Sequence, residues 1–309
     1  MQALLDAIAH ATPGPEARRL FHGRGGLHPG CEEWALDWYP PVWVLTKFGE
    51  TTEAETQAIG AALAARQAQI APDHPLNWVF QRRQPDGPVS RPATDVMAGG
   101  VPEPHVVSED GAHYRVQVQR GQNHGLFLDM AEGRRWVRAH AQGAKVLNLF
   151  AYTCAFSVAA LQGGAREVIN LDMAQGALTT GQQNHQLNGF HNGAKFLAHD
   201  LFSSWGKVTR MGPYDLVIAD PPSYQKGSFV ANKDWPRLLR RLPDLLKPGG
   251  RALLCLNAPE IPEQFLRDQL AAEAPALVVE LRLPNPPAFA DVSADRALKV
   301  LVARLPALA

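Results

Sequence analysis

Polar residues recur where apolar runs stop. Asn148 sits near the end of "AKVLNLF", Asp172 closes "EVINLD", Asp200 closes "AKFLAHD" and Asp220 closes "YDLVIAD". A carboxylate at such a point can accept hydrogen bonds from both hydroxyls of a ribose. Asp172 follows Asn148 at about the 20-residue interval that separates a first cofactor loop from a ribose-holding acid. One such acid alone reads as a helix N-cap, but a row of them along one sheet edge reads as a cofactor cleft. The fourth run continues into Asp220-Pro221-Pro222-Ser223-Tyr224. Prolines fix φ and lack an N–H, so the carbonyls are left to face a ligand. A carboxylate and a carbonyl can accept from the exocyclic amine of a base, and an aromatic ring can stack on its face. The plain alternative is a proline turn with a packed tyrosine.

The elements that position these residues follow from periodicity. From residue 125 onward, strands alternate with helices: "AKVLNLF", "CAFSVAALQGGA", "EVINLDM", "QGALTTGQQNHQLNGF", "AKFLAHD", "YDLVIADPP", "WPRLLRRLPDLLKPGG", "RALLCLNAP", "EQFLRDQLAAEA". "LFLDMAEGRRWVRAHA" reads as a helix after a short strand. This alternation predicts a doubly wound, mostly parallel Rossmann-like sheet. "ALVVELRLP" and "ALKVLVARL" can close it with antiparallel strands. Before it, "WALDWYPPVWVLTKFG" gives two strands and "TTEAETQAIGAALAARQAQI" a helix with acids at its start, the signature of a small α/β unit. Residues 84–104 are rich in Pro and Gly and read as a linker or crossing loop, and a hairpin follows around Asp110-Gly111. The expected division is 1–104 and 105–309.

Composition sets limits. The 309 residues carry no net formal charge, which argues against a protein that coats nucleic acid non-specifically. No apolar run is long enough to span a bilayer, and "MQALLDAIAHATPG" reads as a short amphipathic helix and not as a secretion signal. Cys31, Cys154 and Cys255 are far apart and form no CxxC pair, so neither a disulfide framework nor a zinc site is expected, and a reducing cytoplasm is the simplest setting. The GxGxxG of a dinucleotide site is missing, which disfavours an NAD-type dehydrogenase. No metal is expected.

"VLNLFAYTCAFSVAALQGGAREVINLDM", "GQNHGLFLDM" and "DLVIADPPSYQK" resemble the class I S-adenosylmethionine-dependent methyltransferases of the RlmI/RlmK type, which modify bacterial large-subunit ribosomal RNA. Gln122, Gly125, Phe127, Leu128 and Asp129 match the family's pattern before the first helix. In the first loop Tyr152, Thr153 and Phe156 match, but Cys154 and Ala155 stand where the family has glycines. The small side chains Ala151, Cys154 and Ala155 suit a close approach of the backbone to a ligand provided φ stays negative. The resemblance implies S-adenosylmethionine as cofactor. Asp172, with Met173, would hold its ribose, and Asp200, with Leu201, its adenine. Asn148 would stand, as part of the cofactor site, where the family often has an acid at the first strand end; Asp129 and the loop Phe150, Ala151, Tyr152, Thr153, Cys154 would line the methionine end, with Asp220 beside the methyl group. Asp220, Pro221, Pro222 and Tyr224 would hold the target base.

A 5-methylcytosine enzyme needs a thiolate nucleophile. Where that branch of the family has its cysteine, this chain has Asn257, and Cys255 lies two residues deeper in the strand. The reading is therefore direct transfer to an RNA base, without a covalent cysteine intermediate. The alternatives are 5-methylcytosine formation, a non-RNA substrate, or non-catalytic RNA binding. Arg82-Arg83, Arg134-Arg135 with Arg138, and Arg237-Arg240-Arg241 with Lys247 could meet phosphates, or could be solvated helix faces.

Overall fold

The computed structural model describes residues 1–83, 93–120, 123–225 and 229–307, with only the backbone for Ala93, Tyr224 and Gln225. Gln122 and residues 84–92 of the expected linker lie outside the described residues. Contacts divide the chain into two compact units, Met1–Leu128 with Pro286–Ser293 and Asp129–Asn285 with Ala294–Ala309.

In the first unit, α1 (Gln2–His10) precedes β1 (Arg18–His22), β2 (Trp34–Tyr39) and β3 (Val42–Phe48). Then come α2 (Glu53–Ile70), β4 (Trp78–Arg83) and β5 (Ala93–Ala98). The five strands form one sheet in the order β1-β2-β3-β4-β5. Leu4 and Ile8 of α1 and Ile59 and Leu63 of α2 pack on Trp34, Trp43, Leu45 and Phe80. Helix α2 begins at a capping box in which Thr52 and Glu55 satisfy each other's backbone N–H. The part of the expected linker at Ala93–Ala98 is a strand, antiparallel to β4. The hairpin β6 (His105–Glu109) and β7 (Ala112–Val116) belongs to this unit. Ala17 N donates to Ser108 O (2.9 Å), and His105 Nε2 lies 2.9 Å from Pro40 O. By contacts the division therefore falls at 128 and not at 104.

The second unit runs α3 (Ala131–His140), β8 (Lys145–Leu149), α4 (Ala155–Gln162), β9 (Glu167–Asp172), α5 (Gln175–Leu187), β10 (Ala194–Ala198), α6 (Trp205–Met211) and β11 (Tyr214–Ala219). A short hairpin follows, β12 (Tyr224–Gln225) and β13 (Phe229–Val230), then α7 (Ala231–Leu239), α8 (Leu242–Leu245), β14 (Leu246–Leu256), α9 (Glu263–Glu273), β15 (Val278–Leu283) and β16 (Lys299–Arg304). The sheet order is β10-β9-β8-β11-β14-β16-β15, parallel from β10 through β14 and antiparallel at β16 and β15. Strand alternation sends Leu147, Leu149, Ile169, Leu171, Val217 and Ala219 into one core and Val146, Val168, Leu216 and Ile218 into the other. The expected single helix "WPRLLRRLPDLLKPGG" is two. Pro243 lacks an N–H and its ring clashes with the carbonyl four residues back, that of Leu239, where α7 stops. Chain order reverses between β8 and β11, and this switch point is where an open α/β sheet binds its ligand. Among the described residues no helix is long and apolar enough to cross a membrane.

Candidate active site

The loop after β8 has an unusual backbone. Phe150 (φ 57°), Tyr152 (φ 46°) and Cys154 (φ 61°) are all left-handed, so the condition of negative φ fails at Cys154, though not at Ala151 or Ala155. Each such non-glycine residue costs roughly 1–2 kcal/mol, and it persists because its surroundings over-determine it. Ala151 N donates to Leu171 O (3.0 Å), and Tyr152 N donates to Asp172 Oδ2 (2.8 Å). Cys154 N donates to Ala151 O (2.7 Å), and Asn184 Nδ2 donates to Thr153 O (3.0 Å). Cys154 is fully buried, and a Cβ placed on Gly181 of α5 would lie 2.5 Å from its Sγ. The thiol thus occupies the space that a glycine in the facing helix leaves open. Gly181→Ala is expected to lower cofactor affinity on the order of tenfold by pushing the loop aside, a cost of about 1–3 kcal/mol. Cys154→Gly in the same chain should restore it, and calorimetry with S-adenosylhomocysteine reads both. A double variant as weak as Gly181→Ala alone would sink the idea.

Asp172 ends β9, half-buried, and its two oxygens accept from Tyr152 N and Ala174 N, each at 2.8 Å. Each carboxylate oxygen has two lone pairs, so both retain one for a ligand hydroxyl. Asp200, two residues past β10, accepts from Phe202 N through Oδ1 (2.7 Å). Met173 is 49% exposed beside Asp172 and offers an apolar surface, whereas the Leu201 side chain is in the core, so only its backbone can serve the cleft. Two carboxylates on neighbouring strand ends, with an exposed apolar side chain next to Asp172, fit the ribose and adenine of an adenosyl cofactor. Asn148 does not join them. It is buried one residue before the end of β8, and alternation turns it away from the core that Leu149 faces. Its Nδ2 donates to Asn170 Oδ1 (2.9 Å), Asn170 Nδ2 donates to Ser157 Oγ (3.0 Å), and Ser157 Oγ is 2.8 Å from His185 Nε2. This network, which the sequence did not reveal, lies between the sheet and helices α4 and α5.

On the other side of the switch point, Asp220 follows β11 directly. Burial first, and then the charge of Asp129, push its pKa up to about 7, while the Arg134 guanidinium opposes the rise. Asp129 sits in the 3-10 turn Leu128–Met130, where a short strand was expected. Arg134, read from sequence as part of a surface cluster, is buried on α3. Pro221 is buried and Pro222 half-buried, and the chain then enters the β12–β13 hairpin. The Tyr224 side chain lies outside the described residues. Phe229 anchors that hairpin: it is buried, with its ring edge-on to Phe150 of the loop (5.3 Å) and to Trp235 (5.8 Å). Asn257 is exposed just past β14, and Cys255 is fully buried within that strand. Burial, then the charges of Asp220 and Asp129, raise the Cys255 thiol well above its usual range.

Most of the basic residues expected to meet phosphate are paired. Arg135 bonds Glu132 (2.6 Å), Arg237 bonds Asp234 (2.7 Å), Arg240 bonds Glu273 (2.7 Å) and Lys247 bonds Asp215 (2.7 Å). Arg82 pairs with Asp95. Among the described residues no group of His, Cys, Asp or Glu could hold a metal ion.

A seven-stranded sheet with this order, ribose- and adenine-side acids on one half and an Asp-Pro-Pro turn on the other, defines a class I methyltransferase fold. The chain belongs to the S-adenosylmethionine-dependent methyltransferase family, whose model matches residues 18–304. It is 34% identical over 190 residues to the ribosomal RNA large subunit methyltransferase I of Aeromonas salmonicida, covering 59% of this chain and 47% of that protein. It is 29% identical over 284 residues to the protein of the same name from Photobacterium profundum, covering 88% and 68%. The fold is shared with SMU.776 in its complex with SAH (TM-score 0.80, 23% identity, 98% of this chain and 81% of that one). The chain spans about half the length of the first curated relatives it matches.

Proposed function

We propose that the chain transfers a methyl group from S-adenosylmethionine to a base of large-subunit ribosomal RNA, directly and without a cysteine adduct. The observation that supports this most is the Asp220 carboxyl, which follows β11 beside the charge of Asp129, with Asn257 just past the neighbouring strand β14. When bound, the cofactor supplies a methyl group on a sulfonium. Asp172, Asp200 and the Phe150–Cys154 loop hold its adenosyl and methionine parts, and Pro221 and Pro222 keep the chain after Asp220 extended. With a pKa near 7, Asp220 can accept a hydrogen bond from a base amine when ionised, and can take up a proton that the acceptor nitrogen releases. Positioning then carries most of the rate, because direct transfer needs the acceptor lone pair aligned with the methyl group.

Cys255 supports the reading without an adduct, because its buried thiol disfavours the thiolate. Cys255→Ser should keep transfer within a few-fold of wild type, and RNA carrying 5-fluorocytosine should not be trapped. A folded but inactive Cys255→Ser, or a trapped complex, would move the assignment to 5-methylcytosine. The substrate itself is tested by mass spectrometry of rRNA nucleosides from a deletion strain. A full complement of methylated bases there would overturn the rRNA reading.

A further inference from the structure

Lys299 opens β16 and is fully buried, opposite Leu256 at the end of β14. Its ammonium has three protons and meets three carbonyls: Ala258 O at 2.6 Å, Ile261 O at 2.8 Å and Asp295 O at 2.7 Å. Two of these carbonyls belong to the turn that leaves β14, and the third to the segment that leads into β16. The turn is closed further by Ile261 N donating to Ala258 O (3.1 Å) and Glu263 N donating to Asp295 Oδ1 (3.1 Å). Glu263 is held in turn by Arg282 (2.8 Å) and Arg267 (2.7 Å).

A buried ammonium is costly unless every proton is matched. An apolar residue here would fill the strand position but take the ammonium away from three carbonyls of irregular backbone, of which Ala258 O would keep the Ile261 N–H. The lysine is therefore tied to the shape of the turn and not to the packing of β16. That turn begins at Asn257. Strands β11 and β14 pair in parallel with Ala219 beside Leu254, so Asp220 and Asn257 leave neighbouring strands at the same sheet edge.

We propose that Lys299 is a positioning residue for methyl transfer, fixing the turn 257–261 as the wall of the cleft beside Asp220 against which an acceptor base docks. It does so without touching the base. The proposal rests on the reading of this edge as the acceptor side.

The test compares Lys299→Met and Lys299→Arg with the wild-type chain. Amide exchange over 257–263, S-adenosylhomocysteine affinity by calorimetry, and transfer to deproteinised rRNA from a deletion strain are measured on each. In Lys299→Met the Ile261 and Glu263 amides should lose at least about tenfold in protection. The cofactor affinity should stay within about twofold, because the cofactor-side acids lie on β9 and beyond β10. kcat/KM for RNA should fall on the order of a hundredfold, with Lys299→Arg in between. Should Lys299→Met fail to fold, the wild type still decides: its Ile261 and Glu263 amides must exchange as slowly as those of β16, and free exchange there overturns the clamp. Intact protection in Lys299→Met overturns it as well, and so does a loosened turn with unchanged transfer. The exchange and calorimetry arms need no RNA, which separates a failure here from a failure of the substrate reading.

Discussion

Asp220→Ala is expected to reduce methyl transfer by at least about a thousandfold while cofactor affinity changes only a few-fold. The carboxyl leaves β11 at the switch point, and its loss removes the acceptor that a base amine would find in a closed site. The same carboxyl sets the pH dependence. Its folded pKa is raised to about 7, so the ionised, accepting form fills in only as pH rises through neutrality, and kcat/KM should climb over that interval. The stability linkage runs the other way. The unfolded chain releases this proton near the usual carboxylate value of 3.8, the folded chain only near 7, so stability falls as pH rises between them. Asp220→Asn should therefore melt higher than wild type at pH 8, by up to about 4 kcal/mol less whatever solvent access screens, with the gain vanishing below about pH 4. A stabilised, poorly active variant is what an active-site acid held against its solvation preference predicts. A rate profile that is flat between about pH 5.5 and 8.5, or an Asp220→Asn that melts no higher than wild type at pH 8, would show that the group is ionised throughout and remove it from this role.

The parallel sheet and its acids were legible because apolar runs of strand length end in Asp172, Asp200 and Asp220, and a run that ends in an acid fixes both the element and its functional end. Asn148 lies too deep for that edge: it pairs with Asn170, two residues short of Asp172, so it faces the same side one pleat further in, where Asn170, Ser157 and His185 take it into their network. The left-handed residues of the first loop could not be read from residue type. Phe, Tyr and Cys carry no local preference for positive φ, and here it is imposed by partners such as Asp172 and Gly181, far along the chain. The basic clusters hid their partners in two ways: Glu132 and Asp234 lie one helical turn from Arg135 and Arg237, whereas Glu273 and Asp215 reach Arg240 and Lys247 from far along the chain. Ala93–Ala98 was hidden by the Pro- and Gly-rich stretch before it and by a weakly apolar edge-strand pattern. Lys299 begins an apolar strand, where a lysine ordinarily reads as a solvated end.

Asp172→Ala should give the opposite split from Asp220→Ala, losing the cofactor before the chemistry. The carboxylate holds the strained loop by accepting from Tyr152 N, starts the turn into α5 by accepting from Ala174 N, and leaves a lone pair on each oxygen for a ribose hydroxyl. Removing it costs the charge-assisted bonds to the cofactor, about 2–4 kcal/mol, or roughly thirty- to a thousandfold in affinity. It also releases one restraint on three left-handed residues, each about 1–2 kcal/mol above its relaxed conformation, so the Tyr152–Cys154 backbone should drift toward negative φ. The two effects can be separated. Asp172→Asn keeps one acceptor oxygen and loses the charge, so it should recover loop order, read as amide protection at Tyr152 and Cys154, more fully than cofactor affinity. With saturating cofactor, Asp172→Ala should retain much of the wild-type turnover, since no atom of Asp172 is placed against the acceptor base. Unchanged affinity in Asp172→Ala would remove the ribose assignment. An affinity that falls together with kcat at saturation would mean that the loop, and not the ribose contact, is what Asp172 serves.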